Sequence, residues 1–341
     1  MTRKFRNSDG GLEVKPLPPT ETPLNSRKSR NERGLAPNFL AEFRNGIDRI
    51  AEVLISAVAL LAIAVIFLIF IYVGKEALPL VWGTSDGATI LSPFATPFTW
   101  QPVSTEPKYN VFPLILGTLK VTLIAMLLGT PLALAAALYT AEFAPPRLRE
   151  WIKPAIELLA GIPSVVLGSF ALMVLATWVQ DAFGLVYRLN AFTAGIALAF
   201  AIIPIIYTIS EDALTAVPRL YREASLALGA SKAQTAVRVV MPAAIPGIAA
   251  AIILGFGRAI GETMIVLMVS GNSSILSLDP GLPVRTMSAT IAAEMAEVVV
   301  GSGHYRILFF IGALLFLITA ILNWAGDRFN RRLREKLFGS A

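Results

Sequence analysis

The chain has 341 residues, of which 55% are hydrophobic and only 15% charged, with a formal net charge of +6 and a mean hydropathy of +0.67. A soluble domain of this length is far less apolar, so composition points to a protein that crosses a membrane several times. The absence of cysteine excludes disulfides and thiolate metal sites, and the single histidine, His304, excludes multi-histidine metal centres and weakens a hydrolase reading. The positive charge would suggest nucleic acid in a soluble domain. Here the cations sit in tails and loops, where membrane topology accounts for them, and no nucleic-acid partner is expected.

Residues 1–45 are polar and basic and contain PLPPTETP, which reads as a disordered cytoplasmic tail. The first apolar run, Val53 to Val73, is long enough to span and too long, and too far from Met1, for a signal peptide, so it reads as a retained helix. Gly74 to Asn110 is a polar loop whose Trp82, Phe94, Phe98 and Trp100 fit an interfacial aromatic belt. A second span covers 111–141 and holds Lys120, which either snorkels or faces the bundle interior. A third covers 155–179 and is interrupted by GIPSVVLG. A break at Gly161, Pro163 and Ser164 suits a helix that lines a pathway; the alternative is close helix packing through small residues.

The fourth span is 191–209, followed by a charged, helix-forming loop over 211–242, and the fifth is 243–270. An exterior segment follows, with a helical stretch from Thr286 to Val299 whose Glu294 and Glu297 read as solvated or interfacial. The sixth span is 307–325, and a basic tail over 327–341 follows it directly. The loops holding Arg147, Arg149 and Lys153, and Arg219, Arg222, Lys232 and Arg238, are basic like both tails. The positive-inside rule then puts both termini in the cytoplasm. The expected fold is an all-α polytopic membrane protein, with a membrane domain over 46–326.

The fifth span carries the least expected residues. GFGRAIGETMIVLMVSG, Gly255 to Gly271, is apolar enough for a bilayer yet holds Arg258 and Glu262. An ionised side chain near mid-membrane costs roughly 2.5–3.5 kcal/mol on insertion scales. Two of them four positions apart share one face of a continuous helix, which must look at a partner or a polar path. In the loop before it, Pro218 starts a helix, Arg222 to Leu228 propagates it, Gly229 bends the chain, Ser231 caps a second helix and Pro242 closes that helix at the membrane. Such an elbow can dock into a groove on another protein.

These residues resemble the EAA loop of permease subunits in binding-protein-dependent ABC importers: Glu-Ala-Ala, three residues, Gly, nine residues, Ile-x-Leu-Pro. Here Glu223, Ala224, Gly229 and Pro242 match, while Ser225, Val239 and Met241 depart conservatively with the spacing intact. LAGIPSVVLG (159–168), EDALTAVP (211–218), REASLALGAS (222–231) and GRAIGETMIV (257–266) resemble, more narrowly, the phosphate-specific transport (Pst) permeases, the Pst C-like ones above all. The resemblance runs from about Phe112 to the end. It implies a type I ABC importer permease in a bacterial plasma (inner) membrane. The implied partners are a homologous Pst A-like permease, a Pst B-like ATP-binding dimer and a Pst S-like extracytoplasmic phosphate-binding protein, with membrane lipid around the chain and phosphate ion as cargo. It implies a pathway or gate at Arg258, Glu262 and Thr263, and an ATPase-coupling loop at Arg222, Glu223, Ala224, Gly229 and Pro242. No G-x-x-x-x-G-K-[ST] sequence occurs, so ATP and Mg²⁺ belong to the partner, this chain binds no cofactor, and it is not an enzyme. An intramembrane enzyme, a permease for sulfate or molybdate, and a passive anion channel are the competing readings.

Overall fold

The structure, a computed structural model, describes residues 5–6, 12–13, 39–81, 99–105 and 107–339. Two compact units divide the chain, Met1–Phe67 and Leu68–Ala341. In the first, β1 (Phe5–Arg6) pairs antiparallel with β2 (Leu12–Glu13), Phe5 opposite Glu13. The rest of the 1–45 tail before α1 (Phe39–Val81) lies outside the described residues. Apolar side chains along α1, Leu54, Leu60 and Phe67 among them, are exposed, as on a helix surrounded by hydrocarbon.

The second unit is built from α2 (Phe112–Leu138), α3 (Pro146–Ala160), α4 (Ser164–Phe170), α5 (Ala176–Phe183), α6 (Ala191–Thr215), α7 (Arg219–Ala227), α8 (Lys232–Thr235), α9 (Met241–Gly261), α10 (Met264–Val269), α11 (Met287–Glu294) and α12 (Gly303–Phe338). Wider π turns at Tyr139–Phe143, Ala171–Leu175 and Ala236–Val240 extend or join several of these. Among the described residues, six helical stretches are long and apolar enough to cross a membrane: Arg49–Leu80, Phe112–Phe143, Ser164–Phe183, Ala191–Thr215, Lys232–Gly261 and Gly303–Glu335. The other helices are short or polar.

Several boundaries differ from the sequence expectation. The fourth span runs on to Thr215, so Glu211 belongs to that helix and not to the loop after it. The stretch 155–160 belongs to α3, an amphipathic helix, and the third spanning stretch begins only at Ser164. Gly161 and Pro163 therefore join a surface helix to a spanning helix; they do not interrupt a span. Pro242 likewise does not close the elbow's second helix. It falls in the first turn of α9, and the π turn before it lets Met241 N–H bond back to Ala236 O, so one helix runs from Lys232 to Gly261 past the proline.

The main core is the contact of α2, α6 and α9. Val121, Ala125 and Ala133 of α2 and Ala251 and Ala259 of α9 bury against Leu198, Ile202 and Ile206 of α6. Small residues let these backbones approach closely. The same device brings α4 against α10. A Cβ on Gly168 would lie 2.8 Å from Met268 Sδ and 3.3 Å from Met264 O, so only glycine fits there without movement. The packing reading of GIPSVVLG thus holds at its last residue.

A second cluster gathers Trp100, Tyr109, Val111 and Leu114 with Met287, Ile307, Leu308 and Ile311. It holds a hairpin of β3 (Trp100–Gln101) and β4 (Lys108–Tyr109), Trp100 opposite Tyr109. Trp100 is only 3% exposed, so it is a core residue and not part of an interfacial belt. Trp82, Phe94 and Phe98 lie outside the described residues.

Candidate functional site

Helix α9 ends at Gly261. Glu262 is extended (φ −67°, ψ 131°), and α10 starts again at Met264. Arg258 and Glu262 therefore do not share one face of a continuous helix, contrary to what their four-residue spacing predicts. The Glu262 carboxylate turns to the next helix, where its Oε1 accepts from Thr263 N at 3.2 Å and Ile265 N at 3.5 Å. Its backbone O accepts from Ser288 Oγ of α11 at 2.8 Å, and the Thr263 hydroxyl donates to Gly261 O at 3.2 Å. The break is thus held in place from both sides, and its freed backbone groups have partners.

Arg258 points elsewhere. It lines a cleft of about 320 Å³ together with Glu157 and Ala160 of α3 and Ala201, Pro204 and Thr208 of α6. Among the described residues it has no ion-pair partner. The structure therefore separates Arg258 from Glu262 and places it with Glu157, which the sequence did not single out.

The elbow is built as its punctuation foretells. Pro218 precedes α7, and Gly229 turns the chain at φ +84°, where an L side chain is strained. Ser231 and Gln234 form a reciprocal capping box: Ser231 N donates to Gln234 Oε1 at 2.8 Å and Gln234 N to Ser231 Oγ at 3.2 Å. Ser225, a departure from the alanine of the EAA word, bonds through its hydroxyl to Thr235 Oγ1 at 2.9 Å and ties the two arms together. Glu223 and Ala224 are exposed.

Arg222 is half-buried and points back into the bundle. Its Nη2 meets Glu142 Oε1 at 2.7 Å and Leu214 O at 2.8 Å, and its Nη1 donates to Val217 O. Beside this clamp, Glu211 of α6 is wholly buried. It accepts from Arg149 and from Lys153 Nζ at 3.0 Å, and Lys153 also meets Asp212 at 2.7 Å. Hydrogen bonds to Asp212 and Glu211 push the Lys153 ammonium well above its usual range. A buried carboxylate with two cations is the arrangement that low dielectric demands. The sequence showed Glu211 within EDALTAVP, but no local spacing linked it to α3.

The other end of the unit carries a second charged cluster. Glu294 is no solvated residue: its side chain is 12% exposed and accepts from Arg285, from Trp100 Nε1 at 2.9 Å and from His304 Nε2 at 2.8 Å. Burial pushes its carboxyl up, but the bonds from His304 and Trp100 and the Arg285 charge outweigh it, and the group titrates below the ordinary carboxylate value. Lys120 faces inward and donates to Ser277 O at 2.8 Å and Asp279 O at 2.9 Å, holding the segment that follows α10 against α2.

No described group of His, Asp and Glu side chains could hold a metal ion. What the geometry offers is a cation in a cleft, a broken spanning helix beside it and a charged elbow at one end of the bundle.

Comparison with known proteins agrees with this architecture. The probable ABC transporter permease protein YqgH of Bacillus subtilis is 36% identical over 285 residues, covering 81% of this chain and 90% of that protein. The phosphate transport system permease protein PstC of Mesorhizobium japonicum is 34% identical over 279 residues, covering 76% of this chain and 84% of its own. A solved bacterial ABC transporter involved in the import of the acidic polysaccharide alginate superposes with a TM-score of 0.59 at 15% identity, covering 85% of this chain and 99% of that one, which shows the shared fold. The family model of binding-protein-dependent transport system inner membrane components matches residues 129–335, and the chain belongs to that family of ABC importer permeases.

Proposed function

We propose that the chain is one permease subunit of an ATP-driven phosphate importer in the bacterial plasma membrane. It forms half of the translocation pathway and has both termini in the cytoplasm. The PstC relatives support phosphate as the cargo, and the basic loops on the elbow side support the orientation.

The observation that carries the reading is the elbow. Leu220 is 73% exposed and Leu228 is 89% exposed on this projection, and Tyr221 and Leu226 are exposed beside them. Apolar side chains on such a projection are covered by a partner. That partner is a Pst B-like ATPase dimer, which uses ATP and Mg²⁺, since no nucleotide-binding loop occurs in this chain. Arg222 and Gly229 set the elbow's shape, Glu223 and Ala224 lie on its docking face, and Pro242 passes its movement into α9. A homologous Pst A-like permease supplies the opposite wall of the path, and a Pst S-like phosphate-binding protein delivers cargo from outside. Arg258 offers a planar fork to the oxyanion. The break at Glu262 and Thr263 fixes where that cation sits, and Gly161, Pro163 and Ser164 set the direction in which α4 enters beside it.

The test is uptake of labelled phosphate by the complete transporter in liposomes. Uptake should require ATP, and Arg258→Gln should reduce it to background while the ATPase still copurifies. Uptake of sulfate in place of phosphate would establish the other oxyanion reading, and ATP-independent flux would establish a channel. Orientation is read by labelling. A cysteine at Leu278 should react with an impermeant maleimide from outside and one at Ser231 should not; the reverse pattern would invert the topology.

A further inference from the structure

One side of α3 carries a row of charges, next to the Ile152 and Ile156 side chains that pack on the core. Arg149, Lys153 and Glu157 follow at four-residue intervals and so lie along one side of the helix. The first two meet Glu211 and Asp212 of α6. The third opens on the cleft that holds Arg258. The signs are complementary all along the row, yet Glu157 and Arg258 form no ion pair, and among the described residues neither has another charged partner. Thr208 adds a hydroxyl to the same wall, and the remaining lining, Ala201, Pro204 and Ile205 among it, is apolar. The lining runs from Ala201 to Ile209 of α6, so the cleft extends from the middle of that helix toward its C-terminal half, with the exposed Glu157 on its rim. The other carboxylate, Glu262, is occupied with the backbone of α10.

This donor and acceptor set is selective. The guanidinium donates only, the hydroxyl does either, and an ionised carboxylate accepts only. An oxyanion that retains a proton at neutral pH, such as hydrogenphosphate or hydrogenarsenate, can turn its O–H to Glu157 and its bare oxygens to Arg258. Sulfate carries no proton there and presents only like charge to the carboxylate. We propose that Glu157 is a specificity-determining residue of the pathway and accepts the hydrogen bond that distinguishes a protonated oxyanion from sulfate. The assignment rests on the phosphate reading above and adds the group that enforces it.

Equilibrium binding of labelled phosphate, arsenate and sulfate to the assembled permease–ATPase complex in nanodiscs, without the carrier protein, tests it. The wild-type complex should retain phosphate and arsenate over sulfate. Glu157→Gln should weaken phosphate and arsenate together by at least about tenfold and narrow or abolish the preference over sulfate, because the amide can donate to a bare oxygen. Glu157→Asp keeps a carboxylate and should keep the preference with weaker binding, and it serves if the Gln complex does not assemble. An unchanged phosphate-to-sulfate ratio in Glu157→Gln, or a lost preference in Glu157→Asp, overturns the assignment, as does a wild-type complex that takes sulfate as readily as phosphate. Absence of ATP-driven phosphate uptake by the complete wild-type transporter would instead overturn the proposed function, and this assignment with it.

Discussion

Arg222 and Glu142 are 80 residues apart in the sequence and meet at 2.7 Å. The guanidinium also donates to the carbonyls of Leu214 and Val217, so one side chain ties the first arm of the elbow to the end of α6 and to the π turn that closes α2. Each partner is largely buried, with 21% and 7% of the side chain exposed. In the proposed complex, a push on the elbow would be delivered to two spanning helices at once. Arg222→Gln should cost about 1.5–3 kcal/mol through lost charge-assisted bonds and uncouple ATP hydrolysis from uptake. The reversal Arg222→Glu with Glu142→Arg should not rescue it, because a carboxylate at 222 faces two carbonyl oxygens. Recovery of uptake in the double variant would show that the charge pair alone matters.

Gly229 separates strain from crowding. Its φ is +84° and nothing lies within 4 Å of where a Cβ would sit. The cost of a side chain there is therefore conformational. Gly229→Ala should lower stability by about 1 kcal/mol, Gly229→Asn by less and Gly229→Val by more. Uptake and thermal midpoint should follow that order. A ranking by side-chain size, with Asn worse than Ala, would mean that a partner occupies the space.

Gly168 is the opposite case. Its backbone is helical, and the obstacle is Met268 Sδ, 2.8 Å from the position a Cβ would take, with the α10 backbone behind it. Gly168→Ala should destabilise by about 1–3 kcal/mol through overpacking. Met268→Ala in the same chain should restore part of that, since the flexible side chain is the first thing in the way. Thermal melts of the single and double variants in detergent read the coupling directly.

Glu294 sets a pH limit on the hairpin. Its carboxyl is held below the ordinary value of 4.5 by His304, Trp100 and Arg285, against the upward push of burial. A depressed folded pKa contributes stability that is complete above the unfolded value and is lost as pH falls through the folded one. The hairpin at Trp100–Tyr109 should keep its hydrogen-exchange protection from neutral pH down to the ordinary carboxylate value and lose it progressively as the pH falls below that value. Glu294→Gln should remove part of the protection at neutral pH as well, by about 1–3 kcal/mol. Tyr109, whose phenol is pushed up by burial and by Glu294, should titrate closer to its ordinary value in that variant. A hairpin equally protected at pH 3 would show that its apolar contacts suffice.

Sequence alone determined the class, the six spanning stretches in their order and the bend of the elbow. Hydrocarbon thickness fixes the length of an apolar run, and turn chemistry is local, so Pro218, Gly229 and Ser231 announced α7, the bend and the capped α8 without any tertiary information. The family words around Glu223 and Arg258 were equally legible. Tertiary structure decided which charges meet. The helical spacing of Arg258 and Glu262 presumes an unbroken helix, and GRAIGETMIV carries no proline to announce that the helix stops at Gly261. Helices that cross beside one another bring Arg222 to Glu142, Lys153 to Glu211, and Glu157 to the cleft of Arg258. Trp100 and Glu294, read as surface residues from their polar loops, are buried together because α11 and α12 fold over the hairpin. Periodicity reports which side of one helix is apolar; it holds no information on which helix lies opposite, and that is where ion pairs and clefts are made.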